Sequence, residues 1–284
     1  MAKAPSMSVS DTLRNRLIGA SSLEYIDTLE KSIVFNDKDL IRTSIPALNI
    51  ACSGDIMGGF HSGLSIIAGP SKHFKSMLGL IFVRSYLKKY PDSICLFIDS
   101  EFGITPAYLK ANGIDPSRVI HAPVEHIEQA KFELVKQLSS ISRKDKVIVF
   151  FDSLGNCASK KELDDAISES EKADMTRAKS INSLARMVTP LLHINDIPMI
   201  VINHIYMTQG MFAKNVMSGG TKFYLSADQI FYMGRSQEKQ GEEIIGYNFN
   251  MTVEKSRFVQ EKTVIPLQVT WENGVDPFSG LFGI

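Results

Sequence analysis

Short, wholly apolar runs alternate with longer amphipathic segments through the middle of the chain. Each apolar run is about five residues long and is bounded by turn-forming residues, whereas the amphipathic segments have the period of a helix. Strands that are apolar on both faces and separated by helices are typical of a parallel sheet with helices on both faces. The apolar runs are residues 64–68, 94–98, 147–151 and 198–202, and the helical segments are residues 77–89, 125–138 and 174–193. The pattern therefore predicts an α/β fold with a mostly parallel central sheet.

The two ends of the chain differ from this middle part. After residue 218, β-like runs at residues 229–233, 247–253 and 264–271 predict an antiparallel C-terminal extension of the same sheet. Near the start, residues 11–20 place apolar side chains at helical spacing behind Asp11, a predicted N-cap, and a strand-like run follows at residues 33–35. We therefore expect a small N-terminal helical docking and polymerisation segment, residues 1–36, and a core, residues 37–284.

Composition excludes several classes of protein. The chain has 284 residues, with 31 Lys and Arg against 31 Asp and Glu. A net charge of zero does not draw the whole molecule to DNA or to an anionic membrane, so a DNA-binding surface would have to be local. The composition is not that of a collagen, a disordered tail or a disulfide scaffold.

Location is predicted from what the sequence lacks. The three cysteines are widely separated and form no C-x-x-C pair, which favours a reducing compartment. The apolar runs are far shorter than the roughly 18 residues that a membrane span needs, and no secretory signal opens the sequence. We expect a cytoplasmic protein without a membrane partner.

The strongest motif lies directly after the apolar run 64–68, where a turn leads into a helix. In a P-loop, backbone N–H groups and the helix N-terminus hold phosphates, a lysine reaches the β- and γ-phosphates, and a hydroxyl binds Mg²⁺. The motif residues are Gly69, Pro70, Ser71, Lys72, His73, Phe74, Lys75 and Ser76. Phe74 stands where the motif has its second glycine, so its φ is either negative or strained. An ordinary strand-to-helix turn is the alternative interpretation.

Polar residues follow three further strands of the predicted sheet. Asp152 ends the run 147–151 in a Walker B pattern, whose aspartate binds Mg²⁺. Glu101 follows the run 94–98 and could accept a proton from attacking water or orient it. His204 follows the run 198–202. Because strands of a parallel sheet end at one ligand crevice, we expect these side chains to meet at one nucleotide. Taken singly, each could be a turn residue, a helix cap or a core histidine.

Two polar segments are candidate DNA-binding loops. Residues 205–221 carry no acidic side chain and follow the predicted phosphate site, which is typical of an element that touches a polyanion. Their candidate contacts are Gln209, Lys214, Asn215, Gly219 and Gly220, with Lys222 directly after them. Residues 158–174 carry Lys160, Lys161 and Lys172 among six acidic residues, and a solvated charged surface is the alternative there.

Lys255 and Arg257 form a pair of cations two residues apart. If they belong to a strand, they lie on the same face of it. They either keep an edge strand soluble or bind phosphate in the site of a neighbouring subunit.

Taken together, these motifs resemble those of RecA-type recombinases, and within them the phage UvsX branch, from about Leu13 to the end of the chain. The resemblance is carried by residues 69–76, 97–108, 151–156, 202–204, 219–221, 253–257 and 274–277. It implies a RecA-like P-loop ATPase core that uses ATP and Mg²⁺. It also implies filaments on single-stranded DNA, pairing with homologous double-stranded DNA, and strand exchange in recombination, repair and recombination-dependent replication.

The resemblance also implies roles for single residues. By it, Lys75 and Ser76 bind phosphate and Mg²⁺, Asp152 is the Walker B carboxylate, Glu101 is the hydrolytic base, and Tyr108 stacks on the base of ATP. His204 stands where the family has a glutamine that links the γ-phosphate to the second DNA-binding loop.

Further implications concern assembly. Lys255 and Arg257 would act in trans across the subunit interface, and segments 158–174 and 205–221 match the DNA-binding loops of the family. Phage single-strand-binding and recombinase-loading proteins are expected partners. The chain is shorter than its family, which predicts that it lacks a C-terminal domain. Two alternatives stay open, a non-catalytic mediator that binds ATP to assemble and a ring helicase.

Overall fold

The computed structural model describes residues 9–36, 38–168, 175–207 and 215–281. The chain divides into two compact units between Asp39 and Leu40. Among the described residues of the first unit are the helix α1 (Val9–Gly19), a 3-10 turn (Leu29–Lys31) and the short helix α2 (Ile33–Asn36).

Two expectations for the first unit are wrong. Asp11 lies inside the first turn of α1, which begins at Val9, so it is not the N-cap. The strand expected at residues 33–35 is part of α2. The N–H groups of Phe35 and Asn36 both donate to the carbonyl of Ser32, at 3.1 and 2.9 Å. The backbone thus satisfies its hydrogen bonds locally, as a lone strand cannot.

The second unit is built on one large sheet. Its strands are β1 (Gly63–Ala68), β2 (Ile94–Asp99), β3 (Val119–Pro123), β4 (Val147–Asp152), β5 (Pro198–Asn203), β8 (Gln229–Gln240), β9 (Glu243–Lys255), β10 (Val264–Thr270) and β11 (Gly274–Val275). A separate hairpin consists of β6 (Ile205–Met207) and β7 (Asn215–Met217). Within the described residues the large sheet has nine strands in the order β11-β10-β9-β8-β1-β5-β4-β2-β3.

The pairing agrees with the predicted architecture. The strands from β8 through β1 to β3 pair in parallel, and β9, β10 and β11 extend the sheet through antiparallel pairs. The mostly parallel sheet with an antiparallel C-terminal extension is thereby confirmed.

Helices cover both faces of the sheet. They are α3 (Pro46–Ser53), α4 (Lys75–Lys89), α5 (Pro106–Ala111), α6 (Ile127–Ser139), α7 (Lys160–Ile167), α8 (Thr176–Ile194) and α9 (Thr221–Ser226). Alternate residues of each central strand belong to two apolar cores. On β4, Phe150 lies in the core shared with α4, and Val149 and Phe151 lie in the core shared with α6 and α8. Gly79 lets α4 approach β4, since a Cβ there would lie 2.4 Å from the ring of Phe150.

Sequence periodicity missed several elements, of which a strand and a helix show the reason. The strand β3 is largely exposed at the end of the sheet and has no continuous apolar run to mark it. The helix α3 is short, and its mostly buried residues give no amphipathic signal. β8 and β9 are also longer than the apolar runs that predicted them, and the outer part of β8 is polar and mostly exposed.

Over the described ranges, none of the helices combines the length and the apolar character that crossing a bilayer requires.

Candidate functional site

Four parallel strands end at the same edge of the sheet and deliver the site residues there. Asp99 at the end of β2 is in register with Asp152 at the end of β4. Ala68 at the end of β1 is in register with Asn203 at the end of β5. The residues that follow these strands therefore meet at one crevice, as the sequence predicts.

The loop between β1 and α4 carries the predicted phosphate-binding motif without its second glycine. Lys72 and Phe74 both have a left-handed conformation, with φ of 61° and 62°. For a residue with a Cβ this conformation costs roughly 1–2 kcal/mol. Of the two options that the sequence leaves for Phe74, the structure has the strained one.

Packing against the antiparallel extension holds this loop in place. The ring of Phe74 stacks on Phe249 of β9, with centroids 4.8 Å apart and planes 20° from parallel. Arg235 of β8 donates a hydrogen bond of 3.2 Å to the carbonyl of Lys72, and its guanidinium lies 4.8 Å from the ring centroid of Tyr247. The strain at Phe74 is thus offset by tertiary contacts that sequence reasoning missed. The period-two aromatics Tyr247 and Phe249 are a signal of a strand face, but nothing in the sequence pairs them with the loop.

Lys75 is buried at the start of α4, with 6% of its surface exposed. Its Nζ donates a hydrogen bond of 2.7 Å to the carbonyl of Pro70, which keeps the ammonium inside the loop. Burial lowers the pKa of Lys75, and the charges of Glu101 and Asp152 oppose that change. The cation therefore already faces the two carboxylates of the site.

Asp152 is a buried carboxylate of the site, with 3% of its surface exposed. Its Oδ1 is buried and makes no hydrogen bond within the described part of the chain, while the Ser76 side chain is hydrogen-bonded to the carboxylate. Burial raises the pKa of Asp152 to about 6, with a further contribution from the charge of Glu101. A buried carboxylate oxygen without a partner, next to a P-loop hydroxyl, fits Mg²⁺, which prefers oxygen ligands and phosphates.

Glu101 lies in a turn that Asp99 fixes. The Oδ1 of Asp99 accepts hydrogen bonds from the N–H groups of Glu101 and Phe102, at 3.0 and 2.8 Å. Its Oδ2 lies 3.0 Å from Nε2 of His121. Sequence reasoning missed Asp99, although an aspartate at the end of a strand is typical of a turn whose side chain binds the backbone two residues on.

Two side chains contact the carboxylate of Glu101. Its Oε1 accepts a hydrogen bond of 2.5 Å from the hydroxyl of Ser153 and lies 3.2 Å from Nε2 of His204. The hydrogen bond with His204 is the main cause that lowers the pKa of Glu101, and burial opposes it. For that bond Nε2 of His204 must carry a proton, because an ionised carboxylate only accepts. Glu101 is thus kept ionised, as a base or a water-orienting group requires.

Tyr108 lies on α5, near the same crevice. Burial raises the pKa of its hydroxyl, and the charge of Asp152 adds to the rise. The expected stacking on a nucleotide base remains a prediction.

The first candidate DNA-binding segment is partly helical. Ser159 and Glu162 form a capping box, and α7 begins with Lys160 and Lys161. Lys161 lies 3.6 Å from Asp165, one turn further along the helix. Lys172 lies outside the described residues.

The second candidate segment contains both strands of the hairpin, β6 and β7, and ends where α9 begins. Gln209 and Lys214 lie outside the described residues, and Asn215 begins β7. Gly219 and Gly220 both have positive φ, 103° and 85°, where the chain turns into α9. Lys222 is exposed on α9.

The structure does not bring Lys255 and Arg257 to the P-loop of their own chain. Lys255 ends β9 and Arg257 lies beyond it, so the condition that both belong to one strand is not met. The Nζ of Lys255 donates to the carbonyls of Tyr224, Leu225 and Ala227, at 3.2, 2.8 and 2.6 Å. β9 ends at this contact with the C-terminal end of α9, where the chain turns away.

Comparison with known sequences places the chain in a family. The sequence profile of the RecA N-terminal domain family matches residues 26–276, so the chain belongs to the RecA family.

Three relatives illustrate the range of similarity. The Recombination and repair protein of Enterobacteria phage T4 is 54% identical over 269 residues, which cover 95% of this chain and 69% of that protein. Protein RecA of Wolinella succinogenes is 30% identical over 225 residues, 77% of this chain and 61% of the relative. Protein RecA of Rickettsia africae is 26% identical over 280 residues, 94% of this chain and 78% of the relative.

Phe249→Leu is expected to weaken ATP binding by roughly 2- to 12-fold, because an aromatic stack contributes about 0.5–1.5 kcal/mol and here holds the strained loop. Titration calorimetry with ATP measures the change. Phe97→Leu is the matched control, since it removes a similar stack on Phe150 elsewhere in the core. Equal ATP affinities of the two variants would contradict a role for Phe249 in the loop.

Asp152→Asn is expected to raise the free energy of unfolding of the metal-free protein by about 1–3 kcal/mol above about pH 7, since burial disfavours the carboxylate that it removes. The pKa of Asp152 is raised from 3.8 to about 6 in the folded protein, so the wild-type protein loses stability as the pH rises through this window. The gain should therefore vanish below about pH 4.

Urea unfolding without Mg²⁺ at several pH values measures this difference. Asp92→Asn, in an exposed turn, removes the same charge and should leave the pH dependence of wild type unchanged. An Asp152→Asn protein with the wild-type pH dependence would contradict the prediction.

Proposed function

We propose that this chain is an ATP-dependent DNA recombinase, which forms filaments on single-stranded DNA and catalyses homologous pairing and strand exchange. The observation that carries the proposal is the meeting of Lys75, Asp152 and the ionised Glu101 at one sheet edge. Membership of the RecA family and the name of the phage T4 relative support the recombinase role.

The site residues divide the work of ATP hydrolysis. The P-loop backbone and Lys75 hold the phosphates, and Ser76 and Asp152 hold Mg²⁺. Bound Mg²⁺ supplies positive charge that neutralises the β- and γ-phosphate oxygens. Glu101 orients the attacking water and accepts its proton, and Ser153 and His204 keep the carboxylate in place until then.

Surfaces on the described residues support self-assembly. None of the residues in α1, α2 and the turn between them is buried, although Leu17 and Phe35 are large and apolar. Among the described strands of the large sheet, β3 lies at one edge and leaves one row of backbone groups for a second chain. We infer that the N-terminal unit of one copy docks on the core of another.

Lys255 supports the sharing of sites between copies. It pairs with Ile230 at the start of β8, and β8 is parallel to β1. Its charge acts on Asp228, whose carboxylate binds the N–H of Leu64 at the start of β1. The P-loop follows the opposite end of β1, so Lys255 would reach a nucleotide on a second copy. Arg257, close by, would act with it.

We infer the remaining partners, and membership of the RecA family supports them. The candidate loops bind single-stranded DNA, and homologous duplex DNA is the second substrate. Phage single-strand-binding and recombinase-loading proteins act with the filament in the host cytoplasm. The ordered contact between Glu101 and His204 favours a hydrolysing enzyme over a mediator that binds ATP to assemble. Electron micrographs that display open filaments rather than closed rings separate a recombinase from a ring helicase.

Glu101→Gln is expected to retain ATP binding and ATP-dependent DNA binding while its turnover falls about 100- to 10,000-fold, the range for loss of a general base. Lys75→Ala is expected to lose ATP binding and, with it, nucleotide-dependent DNA binding. ATP hydrolysis with and without single-stranded DNA, together with DNA-binding titrations, measures both. Continued hydrolysis by the Glu101→Gln protein would remove this residue as the base.

A mixture of Lys255→Ala and Glu101→Gln proteins is expected to regain part of the ATPase activity that each lacks. In a mixed filament, a Lys255→Ala subunit keeps its own Glu101 and receives an intact Lys255 from its neighbour. ATPase activity measured across mixing ratios tests this. No recovery at any ratio would argue against sites shared between subunits.

A further inference from the structure

Arg177 lies in the first turn of α8, and its half-buried guanidinium joins separate parts of the chain. Its Nε donates a hydrogen bond of 2.6 Å to the carbonyl of Cys157. Its Nη2 donates to the carbonyls of Leu154 and Gly155, at 3.2 and 2.9 Å. Its Nη1 donates to the hydroxyl of Ser218, at 3.1 Å. Four donors of a rigid fork are thus aimed at four acceptors.

These acceptors stand at the bases of both candidate DNA-binding segments. Residues 154–157 connect Asp152 to segment 158–174, and Arg177 follows the end of that segment. Ser218 follows β7, where segment 205–221 returns to the core. One side chain therefore holds both ends of the first segment and the returning end of the second.

The same contacts reach the Glu101 carboxylate. Gly155 packs tightly on His204, because a Cβ on Gly155 would lie 2.4 Å from Cδ2 of the imidazole. The N–H of Ser218 donates to the carbonyl of His204 at 2.9 Å, and the carbonyl of Ser218 accepts from the Asn203 side chain at 2.8 Å. His204 in turn contacts Glu101. A shift of His204 cannot leave Gly155 and Ser218 where they are.

We infer that Arg177 is a positioning residue that couples the nucleotide site to both candidate DNA-binding segments. The inference rests on the proposed function, since it takes residues 158–174 and 205–221 to bind DNA. A guanidinium has five N–H donors, and the contacts described above use four of them. Arg177 therefore differs from a surface cation that binds a DNA phosphate directly.

Arg177→Ala tests the coupling, with Arg143→Ala as the matched control. Arg143 also donates to backbone carbonyls of α8, those of His193 and Ile194, but at the far end of the helix. The measured quantity is the ratio of the dissociation constants for fluorescent oligo(dT) without nucleotide and with a hydrolysis-resistant ATP analogue. Site-to-site coupling typically changes affinity about 5- to 150-fold.

The expected result separates coupling from stability. Wild type and Arg143→Ala should keep a ratio of dissociation constants of at least about fivefold. In Arg177→Ala this ratio should approach one, while the affinity of the variant for ATP without DNA stays within about twofold of wild type. Two further variants divide the contacts. Ser218→Ala removes the hydrogen bond that joins Arg177 to the second segment, and should lower the ratio in part. Arg177→Lys keeps the charge without the planar fork, and should not restore the ratio. Urea unfolding identifies any variant that fails to fold.

Two results would overturn the inference. One is an unchanged ratio in the Arg177→Ala protein. The other is a loss of about 0.7 in the slope of log affinity against log salt, the signature of one phosphate contact to a single strand, which would make Arg177 a direct DNA ligand. A wild-type protein without nucleotide-dependent DNA binding would instead refute the proposed function, and the inference with it.

Discussion

The register of four parallel strands sets the spacing of the whole site. β1, β2, β4 and β5 are buried along almost their entire length between two apolar cores, so none of them can slide without exposing apolar side chains. Their ends are therefore fixed relative to one another. This fixes the distances between the residues that follow them, which are the P-loop, Glu101, Asp152 and His204. Helix α4 can pack close behind them because Gly79 has no side chain.

Three charged residues of the site are buried at the sheet edge, although the chain as a whole is neutral. They are Lys75, Asp99 and Asp152. Burial disfavours the charged form of Lys75 and of Asp152, and the two groups lie close enough to stabilise each other. Glu101 differs from Asp152 because two hydrogen-bond donors reach its carboxylate. The carboxylates of the site thus have distinct electrostatic environments in one crevice, with Glu101 ionised and Asp152 short of a partner.

The sequence predicts those parts of the structure that are determined by residues close to one another in the chain. Apolar runs locate the buried strands, and parallel topology brings Glu101, Asp152 and His204 to one edge without any knowledge of packing. It fails where structure depends on distant partners. Residues 33–35 have the composition of a strand but pair with none of the strands in the described part of the chain, and they form a helix instead. The sequence does not identify Phe249 or Arg177 as site residues. Phe249 contributes the face of its ring and Arg177 donates hydrogen bonds to backbone carbonyls, and neither kind of contact has a characteristic spacing in the sequence.

The stack of Phe74 on Phe249 also bears on where the ATPase core ends. A glycine at position 74 would allow the phosphate loop to take its left-handed turn unaided, and the parallel sheet alone would then carry the loop. Here the turn is stabilised by the ring of Phe249 on β9 and by the hydrogen bond from Arg235 on β8. The smallest fragment that can hold the loop in shape therefore includes both β8 and β9, so the extension belongs to the nucleotide-binding unit and is not a separable appendix to it.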